Sequence, residues 1–252
     1  MKKIEGILEL MVGVAWTCVS LEGEPQSDQI NELIDLGLFY HKNGDGKEAV
    51  KYFKKALKIS ETSPVYNNLG VVYMQTDDLG KACNAFDRAL KLDSSCPQAL
   101  CNLGLVMYKA GRFDKTIEFL NYIIKWPEVS KEMLIHAHND TGCAHFRKGD
   151  YEAAKNSFET AIVLDSNFDR PYANMGNSYC EQRDFDSAAN RYNKAIALNE
   201  NCSSAFNGLG VIELNNGNFD KAKEYFDNAL SKNNFCVAAR VNQNILKKIS
   251  AN

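Results

Sequence analysis

Small and bulky apolar positions recur along most of this chain at fixed intervals. Gly37, Gly70, Gly104, Gly142, Gly176 and Gly210 are followed twelve residues later by Ala49, Ala82, Thr116, Ala154, Ala188 and Ala222. Four residues further on stand Phe53, Phe86, Leu120, Phe158, Tyr192 and Phe226, and three beyond these Ala56, Ala89, Ile123, Ala161, Ala195 and Ala229. Steps of four and three place the last three positions of each unit on one face of a helix. The glycines are separated by 33, 34, 38, 34 and 34 residues, and a period of that length marks a stacked array of supersecondary units. Each unit is predicted to be a helix hairpin, with the glycine on its first helix and the small-aromatic-small face on its second.

A glycine inside a helix costs about 0.5–1 kcal/mol relative to alanine. Six of them need an offsetting reason, and close approach of the second helix where the Cβ is missing supplies one. The turns agree. Asn43-Gly44-Asp45-Gly46, Ala110-Gly111-Arg112, Lys148-Gly149-Asp150 and Asn216-Gly217-Asn218 separate first from second helices and offer residues suited to a left-handed helix end. Between units, Leu92-Asp93-Ser94, Leu164-Asp165-Ser166 and Leu198-Asn199-Glu200 are expected to stop one helix and to cap the next.

The pattern breaks once. The third unit has Thr116, Leu120 and Ile123, Trp126-Pro127 ends its second helix, and four extra residues precede Gly142. Glu128 to Leu134 are expected to lengthen the next first helix, and the angle of the array to change near 125–135. At the N-terminus Ile4, Ile7, Leu8, Met11, Val14, Ala15 and Cys18 recur at helical spacing, which predicts a packed helix over 3–20. Lys2 and Lys3 before the uncharged run from Leu10 to Leu21 also fit a secretory signal or anchor, with Glu5 and Glu9 against it. Residues 237–252 form a capping helix with Arg240, Gln243, Lys247 and Lys248 outward.

Tyr66-Asn-Asn-Leu-Gly-Val-Val-Tyr73 and Ala82-Cys-Asn-Ala-Phe-Asp-Arg-Ala89 resemble the two helices of a tetratricopeptide repeat, and the likeness runs from about residue 30 to 236. It implies an all-α, right-handed α-solenoid of six helix pairs, at 30–62, 63–96, 97–130, 131–168, 169–202 and 203–236. An N-terminal helix or targeting segment over 1–29 precedes them, and the capping helix follows.

Charge and cysteine content narrow the function. The 29 basic and 32 acidic residues nearly balance, with no basic tract to grip a phosphate backbone, so nucleic acid is not an expected partner. Eight cysteines are scattered without a Cys-x-x-Cys pair. They read as packed thiols in a reducing compartment and not as a metal site or disulfide frame. His136, His138 and His145 share one segment with Asp140 and Cys143, and packing explains them better than metal binding. No nucleophile elbow, phosphate-binding glycine loop or His-Glu-x-x-His is present. Neither an enzyme nor a cofactor is expected.

The resemblance implies that first helices line a concave groove that holds a peptide. Its inward positions map to Asn31, Asn67, Asn68, Gln98, Asn102, Asn139, Asp140, Asn174, Asn177 and Asn207. An amide carries both donor and acceptor and can pair with any main chain. Asn68, Asn102 and Asn174 share one repeat position and resemble the asparagine ladder of the O-linked N-acetylglucosamine transferase superhelix, with Asp35, Asp140 and Gly208 at the other equivalent places. Met74, Tyr108, Phe146 and Leu214 offer apolar anchors, and Lys42, Lys109, Arg147 and Arg170 nearby cations. The chaperone-type carboxylate clamp is not matched. A cytoplasmic scaffold or adaptor for a protein or peptide partner is expected. The alternatives are a self-assembling homo-oligomer, with the N-terminal helix in a neighbour's groove, and a bacterial envelope or periplasmic assembly factor of the pilus or secretin type. Membrane association follows only if the N-terminal segment is an anchor.

Overall fold

The computed structural model describes residues 15–17 and 27–249. They hold thirteen α-helices and no strand: α1 (Ser27–Lys42), α2 (Gly46–Ile59), α3 (Ser63–Gln75), α4 (Leu79–Leu92), α5 (Pro97–Lys109), α6 (Phe113–Ile124), α7 (Lys131–Lys148), α8 (Tyr151–Leu164), α9 (Asp169–Glu181), α10 (Phe185–Leu198), α11 (Ser203–Asn215), α12 (Phe219–Lys232) and α13 (Val237–Ile249). Each odd-numbered helix up to α11 packs on the even-numbered helix that follows it. The described residues form two units, one ending at Ser130 and containing α1–α6, the other starting at Lys131 and containing α7–α13. The boundary falls in the stretch where the sequence repeat is broken. The α7 helix has 18 residues against 13 in α3, α5, α9 and α11. Its extra turn begins at Lys131, because Trp126 to Ser130 are not helical.

The glycine and the aromatic of each hairpin meet face to face. A Cβ placed on Gly37, Gly70, Gly142, Gly176 or Gly210 would lie 2.5–2.6 Å from the ring of Phe53, Phe86, Phe158, Tyr192 or Phe226 respectively, and all five rings are fully buried. The expected close approach therefore holds, and ring burial offsets the helix cost of glycine. In the third hairpin a Cβ on Gly104 would be 3.5 Å from Leu120, an ordinary contact. Thr116, which replaces alanine there, donates its hydroxyl to the Gly104 carbonyl at 3.2 Å.

Asp45, Asp78 and Asp184 cap the second helices by accepting the N–H of Glu48, Lys81 and Ser187 at 3.1, 3.2 and 3.1 Å. Between hairpins the expected capping by Asp93, Asp165 and Asn199 does not occur. Their side chains accept the N–H two residues on, from Ser95, Asn167 and Asn201 at 2.9, 2.9 and 3.0 Å, so they tie the turn itself. The residues before α5, α9 and α11, Cys96, Phe168 and Cys202, make no side-chain cap.

Left-handed backbone is taken by Gly44, Gly111, Gly149 and Gly217 in four hairpin turns and by Asp77 and Arg183 in the other two. Arg183 carries a Cβ at a φ of 65°, a conformation costing an L-residue about 1–2 kcal/mol. Arg183→Gly removes that strain and gives back part of the gain as unfolded-state entropy. The expected net effect is a stabilisation of about 0.5–1 kcal/mol, measurable as a higher urea midpoint at unchanged slope.

Candidate functional site

Within α3 and α5 the inward amides form a connected group. Asn102 donates from Nδ2 to Asn67 Oδ1 at 2.9 Å, and Asn67 lies beside Asn68, with 3.5 Å from Nδ2 to Oδ1. All three are buried. This group holds a main chain. The N–H of Trp16 donates to Asn102 Oδ1 at 2.9 Å, and its carbonyl accepts from Nδ2 of both Asn67 and Asn102 at 2.8 Å. A single carboxamide thus takes the N–H and the C=O of one residue, as a neighbouring strand does in a hydrogen-bonded antiparallel pair.

Ala15, Trp16 and Thr17 are half-buried and not helical. The helix expected over 3–20 otherwise lies outside the described residues. At Trp16 the reason is plain, since the groups a helix would use are engaged by side chains 51 and 86 residues away.

The same amide pair occurs twice in the second unit. Asn174 donates to Asn139 Oδ1 at 3.0 Å, and Asn242 to Asn207 Oδ1 at 3.0 Å. All three pairs are 35 residues apart in sequence. They join one first helix to the next with a one-residue offset and recur at every second junction. The expected row of asparagines at one repeat position is therefore a set of alternate pairs. Asn68 has Ile34 at the place where a partner amide is needed, and Gly208 has Ala173. Asn139 also donates to Asp140 at 3.1 Å, and Asn174 to the Cys143 thiol at 3.4 Å. Asn242 went unnoticed in the sequence because it lies in α13, past the last Leu-Gly pair. Its distance from Asn207 was the available signal. Its Oδ1, equivalent to the atom that accepts the Trp16 N–H, is buried with no partner among the described residues.

Asn177 is not part of this arrangement. It accepts the buried Tyr192 hydroxyl at 2.8 Å. The bulky residues expected as anchors are core: Met74, Tyr108, Phe146 and Leu214 are all buried, with the Tyr108 ring 5.5 Å from Phe113 and the Phe146 ring 5.5 Å from Tyr151. Among the cations, Lys42 and Arg147 are exposed. Lys109 stands 4.0 Å from Asp77, with both side chains largely in solvent, where an ion pair contributes little. Arg170 lies over Phe168 at 5.9 Å.

His136 packs edge-on against Phe168 with centroids 5.0 Å apart. Burial, and then the Arg170 charge, lower its pKa; burial alone lowers that of His138. Both are neutral packing imidazoles at physiological pH. Among the described residues no three His, Cys, Asp or Glu side chains converge on a metal-sized point. Burial raises the thiols of Cys83, Cys143, Cys180 and Cys202, well above the usual range for Cys143 and to about 11 for Cys180, which leaves little reactive thiolate. Cys18 lies outside the described residues. No described helix is long and apolar enough to cross a membrane.

Comparison with known proteins follows the same hairpins. Tetratricopeptide repeat models match residues 33–63, 63–96, 135–168 and 173–242. The photosystem I assembly protein Ycf3 of Prochlorococcus marinus (strain NATL1A) is 31% identical over 80 residues, 30% of this chain and 46% of that protein. The chain thus spans less than half the length of the curated relatives it matches. Among solved structures, a tetratricopeptide repeat protein from Parabacteroides merdae superposes with a TM-score of 0.74 at 17% identity, covering 89% of this chain and 86% of that one. PilW, a type IV pilus biogenesis factor, gives 0.74 at 15% identity over 84% and 97%. At these identities the structures speak for the fold alone. Five glycine-on-aromatic hairpins and a sixth with leucine in place of the ring, together with family models matched along both units, make this chain a member of the tetratricopeptide repeat family.

Proposed function

We propose that this protein is a scaffold that holds an extended segment of a protein partner against the first-helix face, with paired asparagines gripping the main chain. The observation that carries the reading is the hold of Asn67 and Asn102 on both main-chain groups of Trp16. A grip on N–H and C=O is indifferent to the side chain it carries, so it supplies affinity while neighbouring positions supply selectivity. The pairs of Asn139 with Asn174 and of Asn207 with Asn242 give the second unit two copies of the same chemistry. An assembly role is in keeping with the names of two similar proteins, a photosystem I assembly protein and a pilus biogenesis factor. The apolar anchors expected at Met74 and Tyr108 have no part in this reading, because both are core.

Asn102→Ala with Asn174→Ala removes one amide from each of two pairs. Partners captured from a host extract by the wild-type protein are expected to be lost from the double variant. Far-ultraviolet circular dichroism should be unchanged, since a buried partner left unpaired costs about 1–3 kcal/mol, less than the roughly 5–15 kcal/mol that holds a protein folded. Capture retained at wild-type strength by a folded double variant would rule out the amide grip.

A further inference from the structure

The clamp between α3 and α5 is filled by the chain's own residues. Three hydrogen bonds of 2.8–2.9 Å fix Trp16 there, and the residue belongs to a run without a charge from Leu10 to Leu21. Such a run is poorly suited to water and gains by lying against protein. Residues 18–26 join it to α1. A segment tethered by so short a connection acts at an effective concentration of about millimolar, ahead of most dilute outside ligands.

We infer that Ala15-Trp16-Thr17 is a built-in ligand of the Asn67–Asn102 clamp, and that the outside partner of this clamp is an extended segment of the same chemistry that must displace it. That chemistry is a bulky apolar residue between small ones, offering a free main-chain N–H and C=O. The inference rests on the main-chain grip proposed above. If the clamp is self-occupied nine-tenths of the time, an outside ligand binds about tenfold more weakly than its intrinsic affinity. The partner segment therefore has to be tight or locally concentrated, which makes capture conditional.

The test uses the full-length chain and a fluorescein-labelled synthetic peptide of residues 11–21, followed by anisotropy. Trp16→Pro in the protein deletes the one N–H that Asn102 accepts and lies outside every described helix. The labelled peptide is expected to bind the Trp16→Pro protein at least about tenfold more tightly than wild type. A peptide N-methylated at its tryptophan should lose that gain. In the wild-type protein, exchange of the Trp16 amide should be slow and should quicken when unlabelled peptide saturates the clamp. Equal, N-methyl-sensitive binding to both proteins would overturn self-occupation and leave the main-chain grip standing. Absence of binding to either would overturn the grip as well. Wild type sedimenting as a dimer that Trp16→Pro converts to monomer would show that the occupant comes from a second copy, which also overturns the inference.

Discussion

Gly70→Ala is expected to cost about 1–2 kcal/mol, while Gly104→Ala should be neutral or stabilise by up to about 1 kcal/mol. The two glycines occupy the same place in successive hairpins, so helix propensity favours alanine equally at both. They differ in what the new methyl meets. At Gly70 it would stand 2.6 Å from Phe86, a ring with no exposed surface, and either the ring or α4 must move. Overpacking of this kind costs about 1–3 kcal/mol and outweighs the propensity gain. At Gly104 the nearest atom is Leu120 Cδ2 at 3.5 Å, so the methyl fits and the propensity gain remains. Urea unfolding of both variants gives the comparison directly. Phe86→Leu should recover part of the loss in the Gly70→Ala background, because it builds the Gly104–Leu120 combination into the second hairpin; strictly additive effects would exclude the ring contact as the cause.

How far the sequence revealed this molecule depends on the distance over which each feature is encoded. The hairpins were legible because glycine, alanine and aromatic residues are spaced within one unit, and close contact between two helices forces those types at each copy. The helix ends were half legible. Asp45, Asp78 and Asp184 cap as their type suggests. Asp93, Asp165 and Asn199 instead fold back on their own turns, a choice between two local partners that residue type alone does not decide. The candidate site was legible in kind and not in arrangement. Amides were expected to line the groove, Asn68, Asn102 and Asn174 in one row, but Asn102 and Asn174 pair with Asn67 and Asn139, which stand one residue earlier in the preceding repeat. That offset belongs to packing between units, and only the recurrent 35-residue distance reports it. Met74 and Tyr108 looked like anchors because they are bulky and share a position. Both are buried, the Tyr108 ring against Phe113 at the start of α6.

Gly208→Asn, the substitution that would complete the asparagine row, is expected to destabilise the protein by more than about 3 kcal/mol and to add no binding. The Tyr192 ring is fully buried between two glycines of successive first helices. A Cβ on Gly176 would lie 2.6 Å from it, and one on Gly208 would run into its Cζ edge. The ring cannot swing aside cheaply, since its hydroxyl donates to Asn177 at 2.8 Å in a buried site and leaving that acceptor unpaired costs about 1–3 kcal/mol. A tyrosine in place of the usual phenylalanine, an asparagine at 177 and a glycine at 208 are therefore one device. It explains why both residues depart from the roles their positions suggested. Thermal unfolding of Gly208→Asn beside Gly208→Asn/Tyr192→Leu separates the causes: the second change should restore much of the first loss if the ring is responsible. Peptide affinity should not rise in either variant, because Ala173 stands where a pair would need its second amide. A stable Gly208→Asn protein would refute the ring contact, and a gain in affinity would show that one amide is enough to grip a main chain.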